Sequence, residues 1–213
     1  LVLDDPQRVW MVAARHVDVF AVPLEEGGAV GERVHVYRAR AGELLMGCGR
    51  DEETSLGLVA VGPPGSQVHE LARSSLAAAG GDPAELAALV DRWVEGLTAG
   101  VSGGRRPGRV SLLAAEGNSR HLAGKNVTPP QGVYWVSGSA LTAHWLGQIE
   151  LSLPDAETEF PLAGSGWLEI AERTELRAVT TSSLVTNDRL GPGLERFHRA
   201  VLSCAALNAQ EAE

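Results

Sequence analysis

The chain has 213 residues, 44% of them hydrophobic and 21% charged, so its composition excludes long disorder and collagen-like structure. At this length it folds as one or two domains without metal or disulfide staples. Its 27 acidic and 18 basic residues give a net charge of -9, which would repel phosphate backbones and argues against nucleic-acid binding. One lysine among many arginines, with much Ala, Gly and Val, indicates a GC-rich bacterial source.

The two cysteines point to a reducing compartment. Cys48 and Cys204 lie far apart and have no neighbouring Cys or His at metal-ligand spacing, so we expect two reduced thiols and a cytoplasmic location. The sequence has no 18-residue apolar stretch and no signal-peptide pattern, so we expect no direct membrane insertion. The chain opens at Leu1 with structured-looking sequence, and we expect a fragment of a longer protein.

The first 61 residues indicate short strands. Within 8–22, residues 17–22 alternate between two sets of side chains, and 34–38 alternate again. With the apolar runs 44–46 and 56–61, this pattern is typical of strands separated by glycine-rich turns. Short strands at this spacing favour a sandwich or barrel.

Two helices are predicted next. Ser66 is expected to cap a helix that ends at Gly80 and Gly81, with Val68, Leu71, Ala72, Ser75 and Leu76 on one face. The segment Asp82-Pro83-Ala84-Glu85 is a strong helix start. Behind it runs an apolar stripe at helical spacing, which we interpret as a packing or partner helix ending at Gly100: Leu86, Leu89, Val90, Trp93, Val94 and Leu97.

The strand pattern returns after a linker rich in Gly and Arg. The predicted strands are 110–114, 133–136, 141–146, 149–153, 167–170 and 176–179. A final helix should start near Pro192 and turn Leu194, Phe197, Val201 and Cys204 or Ala205 inward. We therefore predict a first unit over 1–80, a helix and linker over 81–109, a second unit over 110–186 and a C-terminal helix over 187–213.

An internal repeat relates the two halves. Residues 6–12 (PQRVWMV) match 130–136 (PQGVYWV) at an offset of 124, and Gly42-Glu43-Leu44 matches Gly166-Trp167-Leu168 at the same offset. A third match pairs 58–61 with 176–179 after a deletion. These matches predict a tandem duplication that places Val9 on Val133 and Gly42 on Gly166.

Each repeat resembles the cyclic-nucleotide-binding-like domain, a jelly roll closed by C-terminal helices. Residues 133–143 (VYWVSGSALTA) look like its third and fourth strands, with Gly138 at the turn, and 176–184 (LRAVTTSSL) looks like its last strand entering the closing helix. The resemblance implies a mainly β fold with helices (α+β): two tandem cyclic-nucleotide-binding-like or cupin-like jelly rolls.

A closer resemblance concerns the whole chain. The segments LDDPQRVWMV, VDVFAVPLE, LVDRWV and LERFHRAVL resemble the N-terminal region of ATP-binding/permease proteins that export nitrile-hydratase-leader-type bacteriocins. This resemblance implies a non-catalytic regulatory or docking domain whose partners are the rest of the transporter or its peptide cargo, at the cytosolic face of the inner membrane. Homodimerisation is left open.

A cyclic-nucleotide family member holds the phosphate with a Phe-Gly-Glu turn and a following arginine. Exposed N–H groups cradle the phosphate and the arginine pairs with it. In the first unit Met46-Gly47-Cys48 takes the place of the turn, and Thr54 stands near the arginine position. The neighbouring carboxylates would repel a phosphate: Asp51, Glu52 and Glu53.

In the second unit Leu168-Glu169-Ile170 takes the turn's place without a glycine, and Arg173 is one position off. A one-residue shift on a strand turns a side chain to the opposite face, so we expect Arg173 to face solvent. Arg173, Gly47 and Trp135 remain the weak ligand-binding candidates. We predict that neither cyclic AMP nor cyclic GMP binds usefully and that no cofactor is used. The alternative is a stand-alone sensor of a small molecule.

Other chemistry finds little support. A cupin metal site needs His-x-His, whereas Tyr37 follows His35 at that spacing, so we predict no metal. The Gly-x-Ser-x-Gly match at 100–104 follows a helix instead of a strand, which argues against a nucleophile elbow. The tryptophan side chains of the predicted strands (Trp10, Trp135, Trp145 and Trp167) are expected in the core. The sequence brings together no set of acid, base and nucleophile, so we predict that the chain is not an enzyme.

Overall fold

The computed structural model describes residues 1–25, 28–51, 53–74, 82–139 and 141–212. The chain divides into two compact units, Leu1–Val101 with Val201–Glu213 (unit 1) and Ser102–Ala200 (unit 2). The first helix continues through Gly100 to Ser102, so the boundary lies at the start of the segment that the sequence suggested as a linker.

Unit 1 is built on antiparallel pairs that join strands distant in sequence. Strand β1 pairs with β5 and β7, while β2 pairs with β3, β4 and β6. Val2 adds an isolated bridge to Val59. The strands are β1 (Arg8–Ala14), β2 (His16–Glu25), β3 (Gly28–Ala29), β4 (Val34–Arg40), β5 (Leu44–Met46), β6 (Leu56–Val61) and β7 (Gln67–Ala72).

Unit 2 is an eight-stranded jelly roll with one extra strand. Its strands are β8 (Val110–Leu112), β9 (Gly117–His121), β10 (Asn126–Thr128), β11 (Val133–Gly138), β12 (Leu141–Trp145), β13 (Ile149–Leu153), β14 (Phe160–Ala163), β15 (Leu168–Ile170) and β16 (Thr174–Thr180). One sheet has the order β9-β16-β11-β14 and the other β10-β15-β12-β13, with β8 added in parallel to β10. From β9 to β16 successive strands thus switch between the two sheets, except for the hairpin β12–β13 within one sheet, as in a jelly roll of two Greek keys.

The two units share one pairing scheme. The pairs β1–β5, β1–β7, β2–β4 and β2–β6 of unit 1 correspond to β11–β14, β11–β16, β12–β13 and β12–β15 of unit 2. The predicted fold class, mainly β with helices in jelly-roll units, is confirmed. Val9 and Val133 lie in corresponding strands, as the repeat predicted.

The other two repeat matches are wrong. Gly42 precedes β5 whereas Gly166 precedes β15, and 58–61 falls in β6 whereas 176–179 falls in β16. Strand β5 corresponds to β14 and β6 to β15, so the constant offset still relates β2 to β12 but fails after that pair. Loops of different length shift the later strands relative to one another, which a fixed offset cannot follow.

The first described helix, α1 (Pro83–Ser102), forms as predicted. The Asp82 carboxylate accepts the Ala84 N–H at 2.9 Å, which satisfies an N-terminal donor. Trp93 and Leu97 are fully buried, whereas Leu86 and Leu89 are half-buried. A Cβ on Gly96 would collide with the Tyr37 ring and one on Gly100 with the Val36 carbonyl oxygen, so α1 lies directly against β4.

The helix predicted from Ser66 is wrong over residues 67–72, whereas residues 73–74 are helical. Residues 67–72 form β7, which runs antiparallel to β1, and Ser66 donates its hydroxyl to the His16 carbonyl at 2.8 Å instead of capping a helix. Tertiary pairing with β1 overrides the helical spacing of Val68, Leu71 and Ala72. Ser75 and Leu76 lie outside the described residues.

Two further helices in the described part of the chain are α2 (Thr181–Thr186) and α3 (Leu190–Ala212). Leu194, Phe197, Val201, Cys204 and Ala205 are buried, as predicted for the final helix. The four tryptophans expected in the core are buried, with exposures from 0% to 7%, although Trp167 lies in the loop just before β15 and not in a strand. Strand β14 was missed because it contains Pro161, which the sheet tolerates since β14 is an edge strand.

Candidate functional site

The strand correspondence identifies, in each unit, the loop that the family resemblance compares with the phosphate-binding turn. In unit 1 the loop 47–55 connects β5 to β6, and the corresponding connection in unit 2 is the loop 164–167 between β14 and β15. The sequence placed the second turn at Leu168–Ile170, but those residues form β15. The turn position is therefore corrected to Gly164–Trp167.

The start of loop 47–55 is closed by backbone hydrogen bonds. Gly47 donates its N–H to the Arg8 carbonyl at 3.0 Å, and Cys48 donates its N–H to the Leu3 carbonyl at 2.8 Å. Gly47 is buried, and a Cβ at this position would collide with the Asp5 carbonyl oxygen. The N–H groups that would cradle an anion are thus bound within the fold, and the glycine serves a close backbone approach.

The middle of the loop carries a buried carboxylate. Asp51 is 6% exposed and accepts two hydrogen bonds from Thr54, from its N–H at 3.0 Å and its hydroxyl at 2.5 Å. The Asp51 N–H binds the Leu56 carbonyl at 2.9 Å. Thr54, near the place of the phosphate-binding arginine, therefore completes a turn around an acid. Glu53 is exposed beside it, and Glu52 lies outside the described residues.

Cys48 adds no nucleophile to this loop. It is 1% exposed, and burial raises the pKa of its thiol to about 12. Since the thiolate is the reactive form, this cysteine is inert while the unit is folded.

Loop 164–167 borders a surface cleft in unit 2. The cleft has a volume of about 330 Å³. Its lining is mixed, with apolar side chains and polar groups in about equal measure and Arg106 as the charged residue: Arg106, Pro107, Val110, Leu112, Thr128, Pro129, Pro130, Gly164, Ser165, Gly166 and Trp167. Gly166 is held by its N–H to the Ala163 carbonyl at 2.9 Å and by the Thr128 hydroxyl, which donates to the Gly166 carbonyl at 2.8 Å. This arrangement can take an apolar ligand or side chain with a nearby negative group.

The ligand candidates named from sequence do not line this cleft. Arg173 is exposed in the loop before β16. Trp135 is fully buried and donates its indole N–H to the Thr181 hydroxyl at 2.8 Å. Gly47 belongs to unit 1. Sequence reasoning assigned Arg106 to a linker, because the pairing of β8 with β10 that brings it to the cleft has no local signal.

Within the described residues no group of three or more His, Cys, Asp and Glu side chains could hold a metal ion. The helices described here include none that is long and apolar enough to cross a bilayer. Neither Cys48 nor Cys204 forms a disulfide, and both are buried.

Comparisons with known proteins give fold-level likenesses only. No family model matches the chain, and no curated protein sequence matches it. The chain is similar to the solved structure of cAMP-bound PfPKA-R at 11% identity and a TM-score of 0.32, over 98% of this chain and 75% of that one. The chain is also similar to the regulatory domain of Toxoplasma gondii PKA with cAMP, at 14% identity and a TM-score of 0.25, over 99% of this chain and 80% of that one.

A third likeness is the regulatory subunit of a cAMP-independent protein kinase A from Trypanosoma brucei, with 10% identity and a TM-score of 0.28, over 97% of this chain and 77% of that one. At these identities and TM-scores no residue of those proteins can be matched to a residue here.

Proposed function

We propose that this chain is a non-catalytic regulatory or docking domain, built from two degenerate cyclic-nucleotide-binding-like units, of a bacterial ABC transporter that exports a bacteriocin peptide. The observation that carries the regulatory or docking part is that the first N–H groups of loop 47–55 are hydrogen-bonded within the fold. The transporter context rests on the sequence resemblance alone.

The contacts of both loops support the proposal that nucleotide binding is lost. Gly47 and Cys48 already donate their N–H groups to backbone carbonyls, and a buried Asp51 would disfavour a second negative charge. In unit 2 the Gly166 N–H is also bound, and Arg173 lies outside the cleft. A micromolar complex needs about 8 kcal/mol in total, much of which an arginine and an N–H cradle would supply.

Calorimetry on the 213-residue chain tests this part of the proposal. We expect no saturable heat with cyclic AMP or cyclic GMP at concentrations up to the millimolar range. A saturable isotherm with a dissociation constant below about 10 µM would overturn the docking-domain proposal. If such binding appeared, Arg106→Gln and Arg173→Gln would show whether the cleft or the loop before β16 holds the nucleotide.

The native gene tests the transporter context. We expect the reading frame beyond the codon for Glu213 to encode apolar spans of about 20 residues and an ATPase. A reading frame that leads instead to a DNA-binding helix pair would contradict it.

A stand-alone sensor of a small molecule is the second candidate. The cleft of about 330 Å³ beside loop 164–167 favours it, since a concavity of this size that combines apolar side chains with a few polar groups can hold a small molecule. A screen of small organic anions by thermal shift distinguishes the two candidates. Stabilisation that is lost in Arg106→Gln would support the sensor.

A further inference from the structure

The outer edge of strand β8 is open in the described part of unit 2. Val110, Ser111 and Leu112 pair in parallel with Asn126, Val127 and Thr128 of β10, and β8 is the last strand in its sheet order. An edge strand presents unpaired N–H and C=O groups that can bind another strand.

The direction of these groups follows from one hydrogen bond. Leu113 donates its N–H to the Thr128 carbonyl at 2.9 Å, so the main-chain groups of Leu113 and of Ser111, two residues earlier, point toward β10. Because successive residues of a strand point their N–H and C=O groups to opposite sides, those of Val110 and Leu112 point away from the sheet. They are positioned to pair with an added strand.

The side chains of the same two residues are unusually exposed. Val110 is 48% exposed and Leu112 62%, and both line the cleft together with Pro107, Pro130 and Trp167. The cleft thus lies beside the open edge, where an added strand can place alternate apolar side chains.

The charges around this edge specify the partner. The segment 105–112 (RRPGRVSL) holds three arginines and no acidic residue in a chain whose net charge is -9. Arg106 and Arg109 are exposed, and no ion pair of either is found among the described residues. A second copy pairing through β8 would bring like charges together, whereas an acidic segment would be attracted.

We propose that the edge of β8 is a docking site for an extended acidic segment of a partner protein, which adds to the sheet as a strand and inserts apolar side chains into the cleft. This inference rests on the docking role proposed above and names its partner class. The backbone supplies the pairing, the cleft receives the apolar side chains, and Arg106 and Arg109 select the charge.

A fluorescent ten-residue peptide of alternating Val and Glu is the probe, and its Lys counterpart is the control peptide. We expect the Glu peptide to bind the 213-residue chain saturably below about 100 µM and the Lys peptide at least tenfold more weakly. The double variant Arg106→Glu, Arg109→Glu should weaken Glu-peptide binding at least tenfold. The matched variant Arg173→Glu, at an exposed arginine outside the cleft, should leave it unchanged.

The position of the added strand is tested by amide exchange. Bound peptide should slow exchange at the Val110 and Leu112 N–H groups, which face the open edge, more than at Leu113. Absence of Glu-peptide binding, equal binding by the double variant, or protection elsewhere would each overturn the inference. A nucleotide isotherm would instead overturn the proposed function, so the two failures are distinguishable.

Discussion

At the scale of single residues, Gly47 has the clearest structural role in loop 47–55. Replacing it by alanine would drive a Cβ into the Asp5 carbonyl oxygen, and backbone cannot yield as a flexible side chain can. We expect Gly47→Ala to lower the free energy of unfolding by about 1–3 kcal/mol, measured by urea denaturation.

The matched control is Gly49→Ala, two residues further along the same loop. Gly49 is exposed, with no heavy atom within 4 Å of a Cβ built there, so we expect a change below about 0.5 kcal/mol. Equal effects of the two substitutions would contradict the packing role of Gly47.

Asp18 provides a second prediction at this scale, on pH dependence. The Arg38 guanidinium donates to its two carboxylate oxygens at 2.8 and 3.1 Å, and a His35 nitrogen lies 3.0 Å away. The Arg38 hydrogen bonds, with help from His35 and against partial desolvation, hold the pKa of Asp18 below its usual value of 3.8. The stabilisation is therefore present above pH 3.8 and is lost as the pH falls through the lower folded-state pKa.

We expect Asp18→Asn to lower the free energy of unfolding at pH 7 by about 1 kcal/mol or less, because the pair lies at the surface. The difference from wild type should shrink as the pH falls below 3.8. Urea titrations at pH 7, 5 and 3 measure it, and a difference that is independent of pH would contradict the assignment.

At the scale of elements, the sequence predicts those that local signals define and misses those whose place depends on tertiary pairing. Helix α1 was predictable because its cap at Asp82 and its apolar stripe are both local in sequence. Strand β7 was not, since its place is set by pairing with β1, about sixty residues away: Trp10 donates its indole N–H to Glu70 of β7 at 3.2 Å. Strands β9 and β10 were also missed, being short and polar.

The stripe of α1 provides a prediction with an internal control. Leu97 is fully buried, whereas Leu89 on the same helix is half-buried. We expect Leu97→Ala to cost about 2–5 kcal/mol of unfolding free energy and Leu89→Ala clearly less. Chemical denaturation of both variants measures this difference, and a larger loss at Leu89 would contradict the described packing.

At the scale of the whole molecule, the correspondence of strands between the units locates the equivalent loops, which the sequence alone does not do for unit 2. The jelly-roll class and the loop of unit 1 were predictable, because Gly47 directly follows the recognisable apolar run of β5. The loop of unit 2 was not, since its place depends on which strands pair, and neither pairing nor loop length can be read locally. Arg106 reaches the cleft only through the same non-local pairing.

The composition of unit 1 predicts the effect of shortening the chain. Residues 201–213 belong to unit 1, and Asn208 donates its side-chain N–H to the Val101 carbonyl at 2.8 Å. Truncation after Ala200 removes the buried Val201, Leu202, Cys204 and Ala205. We expect amide protection to fall in α1 and β4 while β11 and β16 keep theirs, as measured by hydrogen exchange.

Truncation after Ala206 is the control, because it leaves those buried side chains in place. It should lower the amide protection of unit 1 much less than truncation after Ala200 does. Equal protection of α1 in the full chain and in the chain ending at Ala200 would contradict the assignment of residues 201–213 to unit 1.

The division of unit 1 between the two ends of the chain also sets an order for events at the ribosome. Domains ordinarily fold from the N-terminus during synthesis, but here residues 102–200, all of unit 2, are made before unit 1 receives its last segment. At roughly 5–20 residues per second, that interval lasts about 5–20 s. During this interval Val101 at the end of α1 lacks its partners Cys204 and Asn208. Nascent unit 1 is therefore incomplete and accessible to chaperones and proteases at a time when unit 2 can already fold.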